Sequence, residues 1–143
     1  MKTLYDVHVL PHFHYCTPIW CTTYPTHLLP LFRMQKRLIR IITYSDLYEH
    51  TQALFKELHT LKLFDINKLE IAVYMFKMFN SGNIVPPQQP HHNYPTRTHE
   101  NIRIPMHNLT IFRHSLSYLG PKTWNGLPNP IKGLSSFYSF KNI

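Results

Sequence analysis

The first eighty residues place apolar side chains at the three-and-four spacing that lays one stripe along an α-helix. Leu28, Leu31, Phe32, Leu38, Ile39 and Ile42 form such a stripe and predict a helix running to about Thr43. Tyr24-Pro25-Thr26 breaks the chain before it, and Thr26 is placed to cap it. Pro30 falls in its first turn, where a missing N–H is harmless. Upstream, residues 2–10 predict a short helix that Pro11 stops or kinks, and His12 to Trp20 predict a second helical piece. Downstream, residues 51–58 predict a short helix with Leu54, Phe55 and Leu58 inward and Thr51 as cap. Leu61 and Leu63 lead into a stronger helix over 66–80, capped by Asp65. Ile66, Leu69, Ile71, Val73, Tyr74, Met75, Phe76, Met78 and Phe79 leave it little polar surface. A helix apolar nearly all round is central to a core or lacks a partner. Ser81-Gly82 ends it, with Gly82 able to take the left-handed cap.

Beyond residue 83 the helical pattern gives way. Residues 84–93 set Pro86-Pro87 and Pro90 among Gln and His, a linker of polyproline character. In the tail, Ile102-Arg103-Ile104-Pro105 alternates like a short edge strand. Thr110 to Ser117 suggests a second strand, and Gly120-Pro121 signals a turn. Leu134 to Lys141 suggests a last half-helix with Ser135 or Ser136 as cap. The expected fold is mainly α: a small helical bundle over 1–83, a Pro-rich linker over 84–93, and an irregular tail with short strands and turns over 94–143.

Charge sharpens this picture. Within the 26–43 helix, Arg33, Lys36, Arg37 and Arg40 sit at i, i+3, i+4 and i+7, so they share one face. Four like charges repel in isolation, but beside phosphates each neutralised charge releases counterions. The alternative is a plain solvated face. The whole chain of 143 residues carries a formal +8, with 15 basic and 7 acidic residues. Residues 1–83 hold nine basic and six acidic residues (+3), and residues 84–143 hold six and one (+5). This balance favours a polyanionic partner such as the RNA or DNA backbone. The basic tail adds Arg97 and Lys122 as candidate contacts.

Other chemistry is harder to find. The acids Asp6, Asp46, Glu49, Glu57, Asp65, Glu70 and Glu100 form no close pair of the kind that holds two cations. Asp46 and Glu49 are three apart, but the pattern puts them at a helix start, where acids favour the dipole. Gly82, Gly120, Gly126 and Gly133 do not cluster into a phosphate-binding loop. Cys16 and Cys21 make no disulfide framework, which suggests a reducing, intracellular compartment. The N-terminus reads as neither a signal peptide nor a membrane span. No catalytic residue and no cofactor are expected. The sharpest rival is a structural zinc held among His8, His12, His14, Cys16 and Cys21, although Pro11 disturbs the His8–His12 face. A Cys–His nucleophilic pair has no signature to support it.

One stretch is more specific than any of these. Tyr118-Leu119-Gly120-Pro121-Lys122-Thr123-Trp124-Asn125-Gly126-Leu127-Pro128, with a Ser-Phe pair and Phe140-Lys141 after it, resembles the tails of jockey-like non-LTR retrotransposon reverse transcriptases. Tyr94-Pro95-Thr96-Arg97 is similar to another element of those tails. Leu10-Pro11-His12-Phe13-His14-Tyr15-Cys16 with Ile19-Trp20, and the Leu31-to-Ile42 segment around Gln35-Lys36, resemble runs located after the palm of the same enzymes. The pieces keep the family's order and cover nearly the whole chain. The resemblance implies a thumb-like region and a post-thumb tail, with the metal-binding palm and the endonuclease domain upstream of Met1 and absent here. It implies a truncated element copy: a non-catalytic fragment binding nucleic acid at most through its backbone, or an unstable remnant. Thumb helices pack on primer–template duplex, which agrees with the basic stripe. Trp124 either stacks on an unpaired base or, as a Trp in a Pro-flanked turn commonly does, plugs a small core.

Overall fold

The computed structural model describes residues 2–81, 101–134 and 137–141. These residues are mainly α-helical and contain no strand. The chain forms two compact units, Met1–Leu69 and Glu70–Ile143, divided inside a helix. The expected linker over 84–93, the Gly82 cap and the Ser135 or Ser136 cap lie outside the described residues.

The first unit opens with three short helices: α1 (Lys2–His8), α2 (Leu10–His14) and α3 (Thr17–Trp20). Pro11 and Pro18 each lie in the first two positions of a helix, so they begin α2 and α3 rather than ending the helix before. Proline fits there because its φ is already helical and its missing N–H would have had no partner. Cys16, left-handed at φ 49°, separates α2 from α3. The buried Thr17 hydroxyl donates back to the Phe13 carbonyl and stitches the break.

The long helix α4 (Pro25–Thr43) comes next. It starts two residues earlier than a Thr26 cap would require, with extended Tyr24 at the cap position and no side-chain cap bond. Pro30 therefore lies in the second turn, not the first, and removes the N–H that the Thr26 carbonyl would accept. Thr26 is exposed, so water can take that role. Leu28 and Ile39 are buried, and Phe32, Leu38 and Ile42 are half-buried, as the stripe requires; Leu31 lies at its exposed margin.

Two apolar clusters meet on this helix. Tyr5, Ile39, Leu54 and Phe55 form one, and Cys21, Leu28 and Leu63 form the other. Phe32 packs against both and meets Phe64 edge-on at 5.2 Å. Gln35 lies between them, fully buried. Its Nε2 donates to Tyr5 Oη at 2.9 Å and to the Leu61 carbonyl at 3.0 Å. Its Oε1 accepts the Leu63 N–H at 2.9 Å. One amide thus ties α4 to α1 and to the start of α6 (Leu63–Asn80).

The cap expectations for the later helices need correction. Helix α5 (Thr51–Glu57) has His50 at its cap position, and Thr51 is its first helical residue, with no side-chain cap bond. Asp65 is the third residue of α6, not its cap; it pairs with Lys68 at 3.6 Å, one turn on. An acid in the first turn still suits the helix dipole.

In the second unit Ile71, Ala72, Val73, Met75 and Phe76 are all buried, so most of the circumference of α6 there is covered within the chain. Both expected strands are absent. Ile102–Pro105 is irregular, and Thr110–His114 is a 3-10 helix. The supposed turn at Gly120-Pro121 lies inside α7 (Leu116–Asn125). Gly120 serves a close approach rather than a turn: a Cβ there would stand 2.7 Å from Met75 Sδ. The Ile102 backbone pairs with a side chain instead of a strand. Asn125 Oδ1 accepts its N–H and Asn125 Nδ2 donates to its carbonyl, both at 2.8 Å. Trp124 is buried, 4.8 Å from Phe79 and 6.2 Å from Phe140. Phe140 in turn stacks on Phe76 at 4.4 Å. Two further helices, α8 (Asn129–Lys132) and α9 (Phe137–Lys141), complete the tail.

Gln35→Ala strands the Tyr5 hydroxyl, the Leu61 carbonyl and the Leu63 N–H in the core. It is expected to lower stability by about 3 kcal/mol in urea denaturation, against about 1 kcal/mol for Tyr5→Phe. Gly120→Val overfills the contact with buried Met75 and should lower stability by about 1–3 kcal/mol in the same measurement.

Candidate nucleic-acid interface

The buried positions Leu28, Gln35 and Ile39 fix the rotation of α4 and thereby turn the opposite face outward. Arg33 and Arg37 are exposed on that face, and Lys36 and Arg40 are half-buried at its edge. The four expected residues therefore share one helix, but they are not equivalent. Lys36 Nζ rests 4.4 Å from the centre of the Phe32 ring. Arg40 donates Nε and Nη2 to the Glu49 carbonyl at 3.2 and 3.0 Å. Its guanidinium therefore closes a turn of its own chain. Arg33 and Arg37 meet no carboxylate among the described residues.

The remaining expected contacts belong to other parts of the chain. Lys122 is exposed on α7 in the second unit, with its Nζ 5.7 Å from the centre of the Tyr118 ring. Arg97 lies outside the described residues.

The turn that Arg40 closes comes directly after α4. Tyr44 adopts a left-handed conformation, φ 54°, and the Ser45 N–H reaches back to the Arg40 carbonyl at 3.0 Å. Glycine usually fills this position, because a side chain there costs about 1–2 kcal/mol. Thr43 and Ser45 hydroxyls lie 2.8 Å apart, and Asp46 Oδ1 accepts the Leu47 N–H at 2.6 Å. Asp46 and Glu49 thus belong to this turn, not to the start of a helix. The turn leaves Tyr44 81% and Tyr48 91% exposed.

The candidate zinc ligands separate. His8, His12 and Cys16 are exposed, whereas Cys21 is buried against Leu28 and Leu63. No three His, Cys, Asp or Glu among the described residues are grouped to hold a metal ion. Burial pushes the Cys21 thiol up to about 11. Burial likewise raises the Tyr5 hydroxyl, opposed by its Gln35 bond and assisted by Asp6. A cleft of about 560 Å³ between α5 and α6 is lined by Lys56, Lys62 and His59, with Asp65 as its one carboxylate. Among the described residues no helix is long and apolar enough to cross a membrane.

Gln35, Tyr44 and Asn125 carry more of this geometry than their places in the sequence pattern suggest. Gln35 had a visible signal, since it is a polar residue seven positions after Leu28 and four before Ile39, in phase with the buried stripe. Tyr44 and Asn125 had none, because neither a left-handed cap nor a side-chain clasp leaves a spacing. Comparison of the chain with protein-family models, curated proteins and solved structures found no match.

The Cys21 thiol, raised from 9.0 to about 11, holds its proton in the folded chain when the unfolded chain has lost it. That stability contribution is complete below pH 9.0 and disappears as pH rises towards about 11. Urea denaturation across this window should show a fall in stability that is smaller in Cys21→Ala.

Proposed function

We propose that this chain is a non-catalytic piece of a reverse transcriptase of the jockey-like non-LTR class, and that it binds RNA or DNA through the phosphate backbone without reading sequence. The observation that carries the binding reading is the outward Arg33–Arg37 edge of α4, flanked by Lys36 and unopposed by carboxylates among the described residues. Guanidinium groups suit this task because their planar donors match phosphate oxygens in pairs and never lose their charge. Arg37 follows Arg33 by four positions, about 6 Å along the helix. A rigid rod therefore presents both to one polyanion.

The origin is supported by the ordered motifs from Leu10-Pro11 to Phe140-Lys141. In such enzymes the equivalent of α4 is a thumb helix lying against duplex. The competing view, an element remnant that does not fold alone, draws on the apolar circumference of α6. Burial of Ile71, Ala72, Val73, Met75 and Phe76 within the chain weighs against it.

Affinity should fall with added salt, with log–log slope near −0.9 for each phosphate neutralised. Replacing Arg33, Lys36 and Arg37 together by Gln should flatten the slope by about 2 to 3, measured by anisotropy titration over a salt series. Arg40→Gln should act mainly on stability, because that guanidinium holds the Glu49 carbonyl. An unchanged slope in the triple variant removes the proposal.

A further inference from the structure

We propose that Tyr44 and Tyr48 form a stacking platform for unpaired bases at the C-terminal end of the basic helix, so that the preferred ligand is single-stranded nucleic acid or a frayed end. This inference rests on the backbone-binding reading above and adds the class of strand that is bound.

Three observations converge on this turn. First, the two rings are among the most exposed apolar groups described, at 81% and 91%, with Ile41 and Leu47 also exposed beside them. Second, Tyr44 occupies a left-handed position that glycine would fill without strain, and its exposed ring gains little packing in return. Strain retained without a packing gain is a mark of a functional constraint. Third, hydrogen bonds close the turn. Arg40 grips the Glu49 carbonyl, Thr43 meets Ser45, and Asp46 accepts the Leu47 N–H. The backbone that carries the rings is thus tied back to the end of α4.

Charge selects the occupant. Tyr44 directly follows Thr43, the last residue of α4, which lies six residues or about 9 Å beyond Arg37 along the axis. A strand whose phosphates lie on Arg33 and Arg37 runs on towards the rings. There Asp46 and Glu49 offset the charge of Arg40, so the turn favours the uncharged faces of bases over further phosphates. Each base has a π-face, so stacking on Tyr is tolerant of sequence. A duplex keeps its bases stacked on each other and gains nothing from the rings.

The test uses the full chain and three labelled probes of equal length: a homopyrimidine single strand, the same strand carrying abasic sugars, and a duplex. The variant Tyr44→Gly/Tyr48→Ala removes both rings, and Gly suits the left-handed position, so it should unfold at no lower temperature than the parent. It is expected to bind the base-bearing strand about 10- to 100-fold more weakly while its affinity for the abasic strand and the duplex is unchanged. Equal affinity of parent and variant for the base-bearing strand overturns the platform. So does a uniform loss on all three probes, which would mean that the rings position the arginines. So does a parent that does not distinguish base-bearing from abasic strands, the result expected if the rings cover a protein partner. In each case the Gln variant of Arg33, Lys36 and Arg37 reports separately on the backbone reading: weaker binding to all three probes leaves that reading standing, and no change removes both.

Discussion

The Gln35 side-chain amide holds the first unit together. It is fully buried, and its three hydrogen bonds reach the Tyr5 hydroxyl, the Leu61 carbonyl and the Leu63 N–H. A buried amide is costly unless satisfied, so these partners must stay in place for the helix to pack at all. The two apolar clusters beside it supply the bulk of the burial, but non-directional contacts alone would tolerate rotation of α4. The directional bonds of Gln35 do not. They fix which side of α4 faces inward, and therefore which side carries charge to the outside.

This constraint makes the four cations unequal. Arg33 and Arg37 point away from the amide and are exposed. Lys36 and Arg40, at the edge of the packed face, find partners within the chain in the Phe32 ring and the Glu49 carbonyl. A helical wheel gives four equivalent charges, whereas the folded chain gives two unopposed arginines and one arginine committed to a turn. That committed arginine is what gives the Tyr44–Tyr48 turn its shape.

The second unit gives the most specific sequence run a structural meaning. Gly120 admits Met75, Trp124 enters an aromatic group with Phe79 and Phe140, and Asn125 clasps the Ile102 backbone. Residues widely spaced in the run, Trp124 and Phe140, are partners in one small core. Trp124 is therefore a packing residue, as a Trp near prolines usually is.

The helices were legible in the sequence because burial of an amphipathic stripe is a local, periodic requirement; Leu28, Phe32, Ile39 and Ile42 announce α4, and the same spacing announces its basic face. The caps at Thr26, Thr51 and Asp65 were misplaced, since helix ends depend on a residue or two of context. The tail strands were misread because alternation over four residues cannot tell a strand from an extended segment clasped by Asn125, and a Gly-Pro pair reads as a turn unless the neighbour that needs the glycine is known. Period and charge order were thus settled by the sequence itself, through side-chain geometry along one helix. Tertiary structure alone decided which cations stay free, which tyrosines stand exposed on a strained turn, and which glycine is a contact, because each depends on a specific atomic contact that no periodic pattern encodes.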